Sequence, residues 1–182
     1  MLFRSKQQPG KLNYGSGGAG TVPHLAGEMF AAAAGIKLTH VPYRGVGPAV
    51  NDLIGGHIQL TFAGWGAIRA AVEANRAKVL AVAQPQRLQA APQIPTSAEA
   101  GLPGYEFLTW FGIVAPKGTP APIVAKLAQQ IHAMQNDPTV QSQLAAGGLE
   151  ALKETPAEFG ARMRRDYQRF GDIIKAAKLT PQ

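Results

Sequence analysis

The feature that most constrains this chain is the order in which short apolar runs and glycine-rich turns alternate over its first half. Leu12 to Tyr14 reads as a short strand running into Gly15-Ser16-Gly17-Gly18-Ala19-Gly20-Thr21, and the spacing then predicts a helix over 22–34. Thr21 stands where an N-cap belongs, and Pro23 falls in a first turn, where the amide hydrogen it lacks is not needed. Leu25, Met29 and Ala32 share a face, and Gly35 ends the helix. Lys37 to Val41 alternates like a half-buried strand. Pro42 to Gly47 is a loop, Pro48 to Ile54 a short helix stopped by Gly55-Gly56, and Ile58 to Phe62 another strand. Ala67 to Ala74 is helical, and Val79 to Ala83 reads as a buried strand. Such alternation implies an α/β fold whose sheet is covered on both faces, with ligand positions where strands end and helices begin.

The second half reads differently. Thr96 and Glu99 have capping-box spacing and predict a short helix ending at Gly101. Glu106 to Ala115 is a longer apolar strand candidate that can cross between lobes. Three helices then start at Thr119-Pro120, Asp137-Pro138 and Thr155-Pro156. The first carries Val124, Leu127, Ile131 and Met134 at helical spacing, and Gly147-Gly148 stops the second. The last has Glu158 in its first turn and Phe159, Met163, Phe170 and Ile174 as an apolar stripe. A helix-rich tail behind an α/β segment belongs to another lobe. The expected division is 11–105 for one lobe and 106–182 for the crossover strand and the helices of the other.

A chain of 182 residues is long enough to bury a real core. Its 21 glycines and 14 prolines are spread between apolar runs, which fits an ordered chain with many turns. Cysteine is absent, which removes disulfides and thiolate chemistry. Met1 to Lys11 is polar and basic, so no signal peptide is visible, and no run approaches the roughly 20 apolar residues of a membrane span. The net charge of +7 owes much to Arg162, Arg164, Arg165 and Arg169. These lack interleaved aromatics and fit no zinc-finger or homeodomain pattern, so a solvated helix face is favoured over nucleic-acid binding. A basic shell also concentrates anionic ligands.

Three loops are candidate ligand positions. In Tyr14-Gly-Ser-Gly-Gly-Ala-Gly-Thr21, Gly17, Gly18 and Gly20 let the backbone approach a ligand, and the following helix offers free amide hydrogens and a partial positive charge. Ser16 and Thr21 add hydroxyl donors. A carboxylate fits this geometry; so does a plain glycine-rich turn that only caps a helix. Gly15, Gly17 and Gly20 match GxGxxG, a weak signal without an acid for a ribose, and Thr21-Val22 lacks the lysine of a P-loop. In the second loop Arg44 either neutralises an acid or faces solvent, Tyr43 either touches a ligand or covers the core edge, and Gly45 opens the turn. In the third, Ala63 and Gly64 expose backbone amides, and Trp65 either walls a ligand or packs beneath the loop. Trp110 suits the core or a hinge.

Catalytic arrangements are missing. His24, His40, His57 and His132 form no HExxH, and His24 with Glu28 supplies two groups, too few for a metal site. Ser16 is not in a GxSxG setting, and no acid pair flanks a glycine turn. The expectation is a binding module, with no cofactor and no enzymatic activity; the main rival class is a small α/β enzyme that holds phosphate in the glycine loop.

Several segments in order resemble the substrate-binding proteins of tripartite tricarboxylate transporters, the Bug or TctC-like family. They are Pro9 to Thr21 with His24-Leu-Ala-Gly-Glu28, then His40-Val-Pro-Tyr-Arg-Gly-Val-Gly-Pro-Ala49 with Asp52-Leu-Ile-Gly-Gly-His-Ile-Gln59. Ile94-Pro-Thr96, Glu99 to Tyr105, Trp110-Phe-Gly112 and Ala115 to Pro120 follow. The resemblance covers about residues 9 to 179. It implies a two-lobed, type II periplasmic-binding fold that captures small carboxylates for a membrane permease. It also implies a ligand site formed by Ser16 to Thr21, His24, Tyr43 to Gly45 and Ala63 to Trp65. Ala63 stands where many relatives carry aspartate, which removes a charge from the distal pocket. Relatives also begin with a secretion signal and most of a first lobe, including a Tyr-Pro-Gly-Gly loop; this chain starts where that lobe would be ending, so a fragment is expected. A full-length relative would be periplasmic, and this chain as given, without a signal peptide, cytoplasmic.

Overall fold

The computed structural model describes residues 2–176. Its elements, in order, are α1 (Leu2–Gln7), β1 (Asn13–Ser16), α2 (Val22–Ala34), β2 (Thr39–Pro42), α3 (Val46–Gly55), β3 (Leu60–Thr61), α4 (Trp65–Glu73), α5 (Ala121–Gln135), α6 (Pro138–Ala146) and α7 (Pro156–Ala176). The expected domain limits reach residue 182, and their last six residues lie outside the described ones.

The three strands form a parallel sheet in the order β2-β1-β3. Tyr14 pairs with His40 on one side of β1 and with Leu60 on the other. Successive residues of a strand point to opposite faces, and β1 uses this to seat a helix on each. Tyr14 packs against α2, where a carbon added to Gly27 would lie 2.2 Å from its ring. Gly15 admits α3, where an added carbon would lie 3.1 Å from Ala49 Cβ and 2.5 Å from Ile58 Cδ1. Gly15 is therefore a strand residue that a packed helix requires, not part of the loop its GxGxxG match suggests.

α2 keeps the predicted limits, and Gly35 closes it. Its buried residues are His24, Leu25, Ala26 and Gly27, while Ala32, expected on the same face as Leu25, is exposed. α3 and α4 each begin two residues earlier than predicted, at Val46 and Trp65. α1 forms in a stretch the sequence showed only as polar and basic.

Two apolar clusters lie beside the sheet. Val50, Ile68 and Ala71 form one; Leu88, Ala91 and Ile94 form the other, and Trp65 packs against both.

Three sequence expectations fail here. Val79 to Ala83 makes a single parallel bridge, Val82 to Thr96, with Leu80 exposed, where a buried strand was expected. Thr96 and Glu99 do form the reciprocal bonds of a capping box, with Thr96 N–H donating to Glu99 Oε2 (2.7 Å) and Glu99 N–H to Thr96 Oγ1 (3.2 Å). The chain turns once and stops at Gly101 without becoming a helix. Glu106 to Ala115 is irregular; its backbone ties to the rest include Phe107 N–H to the Ala83 carbonyl (2.7 Å) and the Glu106 carbonyl, which accepts from Arg169. Its side chains dock on α7 instead. Trp110 donates from Nε1 to Asp166 Oδ2 (2.5 Å) and sets its ring edge-on to Phe159, 5.1 Å between centroids. Phe111, Ile113 and Val114 stand exposed.

The three tail helices start where the sequence places them. Asp137 caps α6 by accepting from the Thr139 and Val140 amides. Thr155 and Glu158 form a capping box at α7. None of the described residues in α5, α6 or α7 is buried.

Candidate functional site

In a parallel sheet every strand ends on the same edge, so α2, α3 and α4 all begin at one rim. Their N-termini carry partial positive charge and unpaired amide hydrogens there. The order β2-β1-β3 also sends the chain to opposite sides of β1, the arrangement that leaves a crevice beyond the carboxyl ends of the strands.

The first loop leaves β1 at Ser16, which is fully buried. Its hydroxyl donates to the Gly18 carbonyl (2.9 Å) and accepts from the Gly18 amide (3.1 Å). His40 Nε2 lies 2.6 Å from the same oxygen. A hydroxyl has one proton, and with it on Gly18, His40 is the donor. Gly18 holds φ at 133°, a conformation that side chains rarely adopt.

Thr21 precedes α2 in the N-cap position, but it makes no side-chain cap: its hydroxyl donates back to the Gly18 carbonyl (2.7 Å). His24 takes part of the capping role from within the first turn, its Nδ1 accepting the Gly20 amide hydrogen at 2.9 Å. The hydroxyls of Ser16 and Thr21, expected as ligand donors, are therefore spent on the shape of the loop. So are the amides of Gly18 and Gly20, while the Thr21 amide donates to the Gly18 carbonyl at 3.3 Å. Among the described residues, the amides of Gly17, Ala19 and Val22 have no hydrogen-bond partner.

Beneath this loop lies a polar and aromatic cluster that sequence reasoning did not assemble. The His24 and His40 rings stack, with centroids 3.8 Å apart and planes within 7°. Tyr14 lies against both and against Phe62. Its hydroxyl donates to Glu28 Oε1 at 2.6 Å, and burial together with this carboxylate pushes its pKa far up. Burial lowers the pKa of His24 and is opposed by Glu28, whose Oε1 lies 3.8 Å from Nε2. Burial, with the neighbouring His24, brings His40 down to about 4. Both rings are thus neutral at ordinary pH. The sequence marks only part of this: His24 sits in the first turn of a well-marked helix, whereas the register that sets His40 beside Tyr14 shows only in the sheet.

The second loop touches the first. Tyr43 N–H donates to the Ser16 carbonyl (3.0 Å) and Gly45 N–H to the Gly17 carbonyl (3.2 Å). Gly45, at φ 111°, is the last residue before α3. The Tyr43 hydroxyl donates to Asp52 Oδ2 (2.6 Å), which raises its pKa to about 12 and fixes the ring beside Gly15 of β1. Arg44 is exposed on the rim. The third loop lies on the other side of β1, where Thr61 donates to the Gly15 carbonyl (3.1 Å). Ala63 is half-buried and Gly64 exposed, while Trp65 opens α4 and packs inward.

Two concavities lie beside the rim or away from it: one of about 420 Å³ is lined by Trp65, Arg69, Glu73 and Ala146, and one of about 840 Å³ by residues that include Arg76 and Lys78. Among the described residues, no three His, Asp or Glu side chains converge as a metal site would need, and no helix is long and apolar enough to cross a membrane.

The profile of the tripartite tricarboxylate transporter family receptor matches residues 2–179. A UPF0065 protein encoded between tcbD and tcbE in a Pseudomonas species is 37% identical over 180 residues, 98% of this chain and 54% of that protein. The structure of R. palustris Rpa4515 with adipate superposes with a TM-score of 0.88 at 32% identity, covering 100% of this chain and 60% of its own. MatC (Rpa3494) from Rhodopseudomonas palustris with bound malate does so at 0.79 and 27%, covering 95% and 60%. The chain thus spans little more than half the length of these proteins, and its α/β fold is that of the solute-binding proteins it superposes on.

Proposed function

This chain belongs to the tripartite tricarboxylate transporter receptor family, and on that footing we propose that it holds a small carboxylate at the rim where its three strand-to-helix loops meet. The observation that carries this reading is the set of unpartnered amides of Gly17, Ala19 and Val22 at the start of α2. Amide hydrogens at a helix start favour an anion.

In this reading the free backbone donors are the amides of Gly17, Ala19 and Val22, Gly18 and Gly20 give the loop its turns, and Ser16, Thr21 and His24 hold it in shape from inside. Tyr43, Arg44 and Gly45 form one wall, with Arg44 as its exposed cation. Ala63, Gly64 and Trp65 form the other and contribute no charge, so selectivity on that side rests on shape. The fold's neighbours with adipate and malate support a di-acid of that size. The expected role is capture in the periplasm and delivery to a membrane permease, within a two-lobed protein in which residues 11–105 form the gripping lobe and 106–182 belong to the other.

Calorimetric titration of the chain with adipate, malate, an aromatic acid and the uncharged hexanediol tests this. Carboxylates should bind weakly, because one lobe encloses little of a ligand, and the diol should not bind. Gly18→Ala, which strains the loop backbone at φ 133°, should abolish the carboxylate heat while leaving the far-ultraviolet circular dichroism unchanged. Equal heats for adipate and hexanediol, or none for any acid, would sink the proposal.

A further inference from the structure

The stacked imidazoles beneath the glycine loop are placed to link its donors to a proton. His24 Nδ1 is the acceptor for the Gly20 amide (2.9 Å), so the His24 proton sits on Nε2, facing Glu28 Oε1 at 3.8 Å. His40, 3.8 Å away in the stack, donates to the buried hydroxyl of Ser16. Every shape-setting bond from this pair reaches the loop that the carboxylate reading assigns to the ligand. We propose that carboxylate capture here is coupled to the uptake of one proton by the His24–His40 pair, which breaks the bond from Gly20 to His24 and turns the Gly20 amide outward to the bound anion.

The chemistry balances simply. A solvent proton adds to Nδ1 of neutral His24 and no group leaves. Nδ1 then carries a hydrogen and cannot accept another, so two donors face each other and the Gly20 peptide must swing. It has room, because a carbon placed on Gly20 would meet nothing within 4 Å. The swing adds a donor to the ligand side, and the new imidazolium adds a positive charge below it.

The groups around the pair decide where the proton goes and how many fit. From α2 itself comes the Glu28 carboxylate, which favours a charged His24; from β1 comes the buried Tyr14 phenol, whose hydroxyl already bonds Glu28. From β2 comes His40, which meets His24 and no acid and is the more strongly held neutral. α7 also packs on α2, but its Arg169 acts on Tyr105 and not on the histidines. Two stacked imidazolium rings would repel, so the pair takes one proton, on His24.

The inference rests on the carboxylate reading, and two measurements on the intact chain separate their failures. The first needs no ligand. In a pH titration followed by nuclear magnetic resonance, the Gly20 amide should shift with the same midpoint as the His24 ring, below the ordinary histidine value of 6.5. In His24→Gln that shift should vanish. A Gly20 amide that stays still while His24 titrates overturns the coupling. The second is titration with adipate near neutral pH in buffers of different ionisation enthalpy. It should show a fractional proton uptake that His24→Gln abolishes. Affinity should rise on acidification by at most about tenfold for each pH unit by which the anion lifts His24. Clear binding with a buffer-independent heat overturns the coupling alone; no heat at all overturns the carboxylate reading and the coupling with it.

Discussion

Gly27→Ala sets two effects of opposite sign against each other inside α2. In an open helix the change stabilises, since alanine is preferred over glycine by about 1 kcal/mol. At Gly27 the new methyl would lie 2.2 Å from Tyr14 Cε2, 2.6 Å from Cζ and 2.8 Å from Cδ2. Carbon atoms rest about 3.5–4.0 Å apart. Tyr14 cannot yield cheaply: it is fully buried, tied through its hydroxyl to Glu28, and flanked by His40 and Phe62. Overpacking of this kind costs about 1–3 kcal/mol or more, and so deep an overlap belongs at the upper end. The net expectation is a loss of about 2 kcal/mol, read as a lower urea midpoint at unchanged slope. Gly171→Ala in α7 supplies the contrast, because its added carbon meets nothing within 4 Å; it should gain up to about 1 kcal/mol. Adding Tyr14→Leu to Gly27→Ala should recover part of the loss, a non-additive result expected of residues in contact. If Gly27→Ala were as stable as the parent, the steric account of how α2 sits on β1 would be refuted.

Acid should weaken the fold through His40. Its folded pKa of about 4 lies below the ordinary 6.5, so between those values the unfolded chain holds a proton that the folded chain refuses. Stability is therefore full above that window and falls as pH drops through it, by about 3 kcal/mol unscreened and roughly 1–2 with solvent screening; His40→Gln should flatten the slope of denaturation midpoint against pH. Arg162→Lys loses the fork that donates from Nε to both Glu154 oxygens (3.0 and 2.9 Å). The partly exposed pair should cost about 1 kcal/mol, with a smaller effect at high salt. Tyr105→Phe removes the hydroxyl that donates to the Ala26 carbonyl (3.0 Å) and should cost about 1 kcal/mol by thermal or chemical denaturation.

What was legible in the sequence was what is decided locally. α2 is bounded by Thr21, Pro23 and Gly35, and its limits can be read off those residues; the tail helices likewise begin at Thr or Asp followed by proline. β structure is decided by partners distant in the chain. Val79 to Ala83 and Glu106 to Ala115 have strand composition, yet only one bridge forms at the first, and the second is held by α7 through Trp110. The capping box at Thr96 and Glu99 formed as spelled, but a box starts a turn and cannot extend it past Gly101. At the site, the loop and its helix start were readable; the contact between the Gly17 and Gly45 turns came only with the structure. The inward use of the Ser16 and Thr21 hydroxyls was not, because a hydroxyl carries no directional mark. Nor was the histidine stack, which depends on sheet register bringing residues 24 and 40 together.

The chain holds two tryptophans, and the fold gives them different surroundings. Trp65 is wedged between the two apolar clusters at the head of α4, whereas the indole of Trp110 is bonded to a carboxylate on α7. Their emission should therefore differ in colour and in quenching, and each variant retaining a single indole becomes an optical reporter for one half of the molecule. Melting followed at the two wavelengths would show whether the sheet and the terminal helices come apart in one step or two.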